Sequence, residues 1–139
     1  MDKEFVNPPE LARPVGFNHG ILVTGGRLLF LAGQDAGNAE SQIVAPGDIV
    51  GQYEQVLRNL KAVIEAAGGT MQDIVKLNIF VCDRDAYLAH LKQLGSVHKA
   101  YFGLYYPTMA LFEINRFFQD EALIEIEGIA VIREEKQGG

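Results

Sequence analysis

Three strand-like runs in this chain carry apolar side chains on both faces, and only two amphipathic helices are available to cover them. The runs are Leu28–Ala32, Ile74–Val81 and Met109–Phe117. Side chains alternate between the faces of a strand. A sheet made of these runs therefore buries one face under the helices and leaves the other, also apolar, uncovered. Large uncovered apolar patches are unusual on monomers. The expected form is a homo-oligomer whose subunits cover one another's open sheet face, with ligand clefts at the seams. The rival form is a monomer whose N-terminal arm folds over the sheet.

Local signals divide the chain into elements. Residues 1–13 read as an irregular or extended arm. Ile21–Thr24 and Arg27–Ala32 flank Gly25-Gly26, whose tolerance of positive φ suits a type I′ hairpin. Asp48 is placed to cap a helix in which Tyr53, Val56, Leu57, Leu60, Val63, Ile64 and Ala67 keep three-four spacing. Gly68 ends it in the left-handed C′ position, and Gln52, Glu54, Arg58, Lys61 and Glu65 are expected to face water. A strand over 74–82 and a second helix over about 86–102 follow, with Gly95 a weak point in that helix. Residues 108–117 and 123–131 read as strands joined by a polar Gln119-Asp120-Glu121 hairpin loop. The tail, 133–139, is polar and expected to fray. With no repeat and no linker, residues 1–139 form a single domain with its core at about 14–132.

Several chemistries are set aside. The net charge is −6, and a broad nucleic-acid footprint needs a basic face. Cys82 is the single cysteine, so no intrachain disulfide can form. Neither a signal-peptide pattern nor an apolar run of membrane-spanning length occurs. A cytoplasmic protein without nucleic-acid or membrane partners is expected. His19, His90 and His98 are scattered without metal-ligand spacing, and no phosphate-binding glycine motif or nucleophile elbow is present. No metal and no cofactor are expected. Cys82 at a strand end and His98 on an apolar helix stripe read as structural. His19, in a loop beside Gly20, can exchange protons near neutral pH. Glu125 shares a strand face with Leu123, Glu127, Ile129 and Val131. A carboxylate among aliphatic neighbours sits at a core edge or in a pocket, because burial without a partner is costly.

Several stretches carry a family resemblance. They are Gly16-Phe17-Asn18-His19-Gly20, Leu31-Ala32-Gly33-Gln34, the helix from Gln52 to Gly68, and Asp73-Ile74-Val75-Lys76. Tyr101-Phe102-Gly103, Tyr106-Pro107 and Ile124 to Val131 continue the series. In this order they cover most of the chain from Pro14 to Ile132, and the chain resembles the RidA/YjgF family of reactive-intermediate deaminases. The resemblance implies an α+β, chorismate-mutase-like fold: one mixed sheet with two helices on one face, in a homotrimer with sheets packed inward. It implies hydrolysis of enamines and imines to carbonyl compounds and ammonia in inter-subunit clefts. There an arginine after the proline of the penultimate strand grips a substrate carboxylate, and a last-strand glutamate places water.

On the matching positions, Glu125 is the glutamate, and Gly33 and Gln34 supply backbone groups. Met109 stands at the arginine position, Phe17 at an N-terminal tyrosine, Leu111 at a cysteine-like position, and Gly95 roughly at an asparagine. The expected site is thus Glu125 as the catalytic carboxylate, with Phe17, Gly33, Gln34, Met109 and Leu111 around the ligand and His19 beside them. A thioether in place of a guanidinium cannot pair with a carboxylate, so the cleft is expected to be more apolar. The implied function is an imine deaminase of altered substrate range. The alternative is a non-catalytic trimer that binds a metabolite in apolar clefts.

Overall fold

The computed structural model describes residues 1–134; from residue 135 on, the expected frayed tail lies outside the described residues. The chain runs β1 (Asp2–Val6), β2 (Gly20–Thr24), β3 (Arg27–Gln34), α1 (Ile49–Ala66), a 3-10 turn at Met71–Asp73, β4 (Ile74–Val81), α2 (Arg84–Ala89), α3 (Leu91–Phe102), β5 (Thr108–Glu113) and β6 (Ile124–Ile132). The main sheet has the order β3-β6-β4-β5. Strand β6 is antiparallel to β3 and β4, whereas β5 runs parallel to β4. This is an α+β fold with a mixed sheet and helices, as the resemblance implied.

Helix α1 forms where its local signals put it. The Asp48 Oδ1 accepts from the Gly51 N–H at 3.0 Å, satisfying an orphan donor of the first turn. At the other end Gly68 takes φ 88°. The Gly69 N–H bonds Ile64 O at 2.9 Å and the Gly68 N–H bonds Glu65 O at 3.0 Å, a complete Schellman closure. Val56, Leu57, Leu60 and Ile64 then pack, fully buried, on Leu77, Ile124, Ile126 and Ala130 of the sheet.

Five features differ from the sequence reading. The two strands after Pro107 are not a hairpin: β4 lies between β5 and β6. Strand β4 places Ile74, Leu77, Ile79 and Val81 in the core, as suits a strand with a partner on each side. The connection after Glu113 is long enough to pass over it. Strand β5 ends at Glu113, and Phe118 beyond it is fully exposed.

Gly25 and Gly26 have the expected positive φ, 77° and 89°, but β2 pairs with β1, and β3 pairs with β6. A Cβ at Gly26 would lie 2.5 Å from Val131 Cγ1. The glycine lets the chain pass close over the end of β6, where β3 finds its partner. The N-terminal arm contains β1, which pairs with β2 and sets Phe5 against Tyr105. It leaves the far side of the sheet bare, with Leu28 67% and Phe30 71% exposed.

The second helix is two pieces. It breaks at His90 (φ −117°, ψ 20°) rather than at Gly95, and His90 Nδ1 lies 2.7 Å from Ala86 O across the break. Finally, Gln52 is fully buried instead of facing water. Its Nε2 donates to Ala45 O and Glu121 O at 3.3 and 3.0 Å, and its Oε1 accepts from the Leu123 N–H at 2.8 Å. One amide thus satisfies the irregular backbone that leads into β6.

Candidate functional site

The residues expected around a ligand fall into two groups on opposite sides of the sheet. Glu125 lies on the uncovered side, because Ile124 and Ile126 on either side of it point into the core under α1. Between Leu31 and Gln34 the register of β3 against β6 slips: Leu31 faces Gly128, whereas Gln34 faces Ile126. Gly33 sits in this slip. A Cβ there would be 3.0 Å from Glu125 Cδ, so the glycine lets the carboxyl rest against the β3 backbone, and a larger residue would push it outward. Burial, and then the charges of Asp35 and Glu127, push the Glu125 carboxyl above the usual carboxylate range. Phe80 of β4 is its register partner, stacked on Phe112 of β5 at 5.5 Å. Glu127 is held by the Asn78 amide, whose Nδ2 donates to Oε1 at 3.3 Å.

Phe17, Met109 and Leu111 form the second group. They line a groove of about 220 Å³ at the edge of β5, with Gly16, Ile79 and Tyr87. The segment before β2 is pinned there by Asn18. Its N–H donates to Pro107 O at 3.2 Å and its side-chain amide to Tyr106 O at 2.6 Å. His19 does not line the groove; it meets the Phe17 ring edge-on at 5.1 Å. The His19 Nε2 lies 2.7 Å from Ala12 O, so it is the donor, and the backbone N–H donates to Asn7 Oδ1 at 2.8 Å. In the neutral ring this leaves Nδ1 as an acceptor.

The groove continues into a larger cavity of about 340 Å³ between α1, α3 and the start of β5. It shares Gly16, Tyr87 and Met109 with the groove and adds Tyr53, His98 and Tyr106. His98 is stacked between Phe102 and Tyr106, with ring centroids 4.4 and 4.6 Å away. Its Nε2 donates to Tyr105 O at 2.9 Å. Burial outweighs that bond and lowers the His98 pKa, so the ring is neutral near pH 7 and fixes the face of Tyr106. Burial raises the phenol pKa of Tyr53 and of Tyr87, and at Tyr53 the Tyr87 and Tyr106 phenols raise it further. None of these three tyrosines was singled out as a site residue from the sequence: Tyr53 and Tyr87 fall on apolar helix stripes, and Tyr106 entered only through the Tyr106-Pro107 pair. A usable signal was present nonetheless, because a tyrosine on a buried stripe has a hydroxyl that needs a partner or an opening.

A third cavity, of about 330 Å³, is lined by Asp48, Cys82, Asp83 and His90 among others. Both aspartates are engaged as helix caps, and the Cys82 thiol faces the carbonyls of Ala122 and Leu123. Among the described residues no group of three or more His, Cys, Asp or Glu side chains is arranged to hold a metal, and no helix is long and apolar enough to cross a membrane.

Within one chain the two groups are far apart. Met109 is in register with Leu77, and Leu77 with Gly128, whereas Glu125 is in register with Phe80. Met109 and Glu125 are thus two strands apart, about 10 Å, and three residues apart along them, about another 10 Å, on opposite faces. A small ligand touching Glu125 cannot touch Met109 of the same chain.

Comparison with known proteins agrees with the fold and the order of these elements. Residues 10–132 match the family model described as Endoribonuclease L-PSP. The chain is 33% identical over 128 residues to a RutC family protein of Pyrococcus horikoshii, covering 92% of this chain and 97% of that one. It is 30% identical over 131 residues to the 2-iminobutanoate/2-iminopropanoate deaminase of Dermatophagoides farinae, covering 94% and 97%. Among solved structures, a Rid-family protein of unknown function from Yersinia pestis superposes with a TM-score of 0.85 at 32% identity, covering 95% of this chain and all of that one. The chain therefore belongs to the Endoribonuclease L-PSP family, that of the YjgF/RidA proteins.

Proposed function

We propose that the chain hydrolyses the C=N bond of a small imine, or of the imine tautomer of an enamine, in clefts between copies of itself arranged as a homotrimer with open sheet faces inward. The observation that carries this reading is the Glu125 carboxyl, half-buried against the Gly33 backbone with its pKa raised. A carboxyl so placed can exchange a proton with water nearer to neutral pH than a free one. Glu125 takes a proton from water as the oxygen bonds to the imine carbon. The C=N π pair moves to nitrogen, which takes that proton from the Glu125 carboxyl, giving a carbinolamine. The carboxyl relays a second proton from the hydroxyl to the amine nitrogen; the C–N bond breaks as the carbonyl forms, and ammonia leaves. The sum is imine plus water to carbonyl compound plus ammonia.

The likeness to a protein named as an imine deaminase supports this chemistry. The distance between Glu125 and Met109 supports the assembly, since only a second copy could bring both groups to one ligand. A chain of net charge −6 is poorly suited to an RNA substrate, whose binding calls for a basic face, although the family description names a ribonuclease. A second reading, a trimer that binds a metabolite without turnover, is favoured by one observation: the groove of Phe17, Met109 and Leu111 has no charged side chain in its lining.

The test is the rate of ammonia release from 2-iminobutanoate and from the ketimine of acetophenone, each generated in situ by an oxidase. Glu125→Gln should slow whichever reaction the protein catalyses by roughly 10²- to 10⁴-fold. Wild type no faster than this variant on both substrates, and both at the buffer rate, would end the deaminase reading and leave the binding one.

A further inference from the structure

The cavity beside Met109 has a chemistry that selects its occupant. Its described lining contains no Asp, Glu, Lys or Arg; its polar groups are the phenols of Tyr53, Tyr87 and Tyr106 and the imidazole of His98. Burial keeps the first two phenols protonated and His98 neutral. The polar atoms offered are therefore uncharged, and the phenols can both donate and accept. The stacked His98 and Tyr106 rings, 6° from parallel, give one wall a flat aromatic face. A carboxylate placed here would lose water and gain no cation.

Gly95 adds an independent observation. It lies within α3 at the cavity wall, where a glycine weakens a helix relative to alanine. Nothing in the fold requires a glycine there: its φ is not in the left-handed region, and an added Cβ would meet no atom within 4 Å. Gly95 is exposed, so a side chain added there would stand at the open rim of the cavity instead of pressing on packed atoms.

We infer that the cavity of Tyr53, Tyr87, His98, Tyr106 and Met109, with Gly95 at its rim, binds an uncharged, flat organic group carrying hydrogen-bonding atoms, and discriminates against carboxylates. The inference deepens the proposed deaminase reading, on which it rests for the statement that this group is the substituent of an imine. The substrate class is then neutral aryl or amide-bearing imines rather than imines of amino acids. Met109 and Gly95 are the specificity-determining positions, and Tyr87, which borders both groove and cavity, donates to the ligand.

Benzamide and benzoate, alike in shape and different in charge, are suitable probes in ligand-observed NMR titrations of the whole protein. Benzamide should bind at least tenfold more tightly than benzoate. Gly95→Leu, which grows into open space and suits a helix, should abolish benzamide binding with no loss of melting temperature. Tyr87→Phe should weaken it several-fold, and Gly95→Ala, the folding control, should only reduce it. In the ammonia assay the acetophenone ketimine should be turned over faster than 2-iminobutanoate. Selective benzamide binding that Gly95→Leu removes upholds the cavity assignment even if no imine is hydrolysed. Equal or tighter binding of benzoate, no benzamide binding at all, or benzamide binding untouched by Gly95→Leu overturns it, even if Glu125-dependent hydrolysis of 2-iminobutanoate is found.

Discussion

The two faces of the four-stranded sheet are made by the same strands and end at opposite extremes of burial. Under α1, Leu77, Ile124, Ile126 and Ala130 are fully buried; on the other side Leu28, Phe30 and Phe112 stand 67%, 71% and 47% exposed. The covered face is apolar and complete, so it explains why the chain folds. The uncovered face is apolar and incomplete, and it also holds Glu125, a carboxyl with a raised pKa. The contrast teaches that the same alternation that builds the core leaves a second apolar surface, which in the proposed assembly another copy of the chain covers. The N-terminal arm, the internal alternative that the sequence offered, is engaged with β2 and Tyr105 instead.

The sharpest way to break this comparison is to truncate one large side chain on each face. Leu57→Ala, under the covered face, should lower unfolding free energy by about 2–5 kcal/mol in urea titrations, since removing a buried leucine leaves a cavity. Phe30→Ser removes an aromatic ring that a single chain leaves in water. It should barely change the stability of the isolated chain but lower the mass seen by sedimentation from a trimer to a monomer. A wild-type chain that sediments as a monomer at micromolar concentration would sink the idea that copies cover the face.

A smaller effect is expected at the seam between helix and sheet. Gln52→Leu keeps the volume but removes the amide that serves Ala45 O, Glu121 O and the Leu123 N–H. Buried backbone groups without partners are penalised by about 1–3 kcal/mol, so the variant should melt earlier despite being more apolar. Equal or higher stability would mean that water or a shifted loop takes over those bonds.

Local signals made α1 legible. The Asp48 cap, the apolar spacing and the Gly68 stop all lie within the segment they control. Gln52 was not legible, because its burial depends on where β6 begins, about seventy residues away. The exchange of partners among β2, β3, β5 and β6 was hidden for the same reason: periodicity assigns a face to each side chain but does not say which strand lies beside it. Glycines misled where their local role and their distant role coincide, as at Gly26, whose positive φ suits a hairpin but whose lack of Cβ serves Val131. At the site, the sequence resemblance singled out Glu125, Gly33, Gln34, Phe17, Met109 and Leu111. It gave no hint that Glu125 and Met109 stand on opposite faces. Tyr53, Tyr87 and Tyr106 stayed hidden because a cavity between α1, α3 and β5 is a property of packing.

The smallest predicted effect ties the pH dependence of folding to the uncovered face. The folded-state pKa of Glu125 is raised, by burial first and by Asp35 and Glu127 next. The folded form therefore favours the protonated carboxyl. The stability this contributes is fully present below the unfolded pKa, about 4.3, and is lost as pH rises through the higher folded value. Glu125→Gln cannot ionise, so its melting temperature should equal that of wild type near pH 4 and exceed it modestly near pH 7. The group is only partly buried in a single chain, so solvent and salt screen much of the effect. A second copy seated on the face would remove more water from the carboxyl. The gap at pH 7 should then widen as protein concentration rises, and it should not widen in the Phe30→Ser background. A gap independent of concentration would show that Glu125 is desolvated only by its own chain, and would separate the carboxyl from the apolar surface beside it.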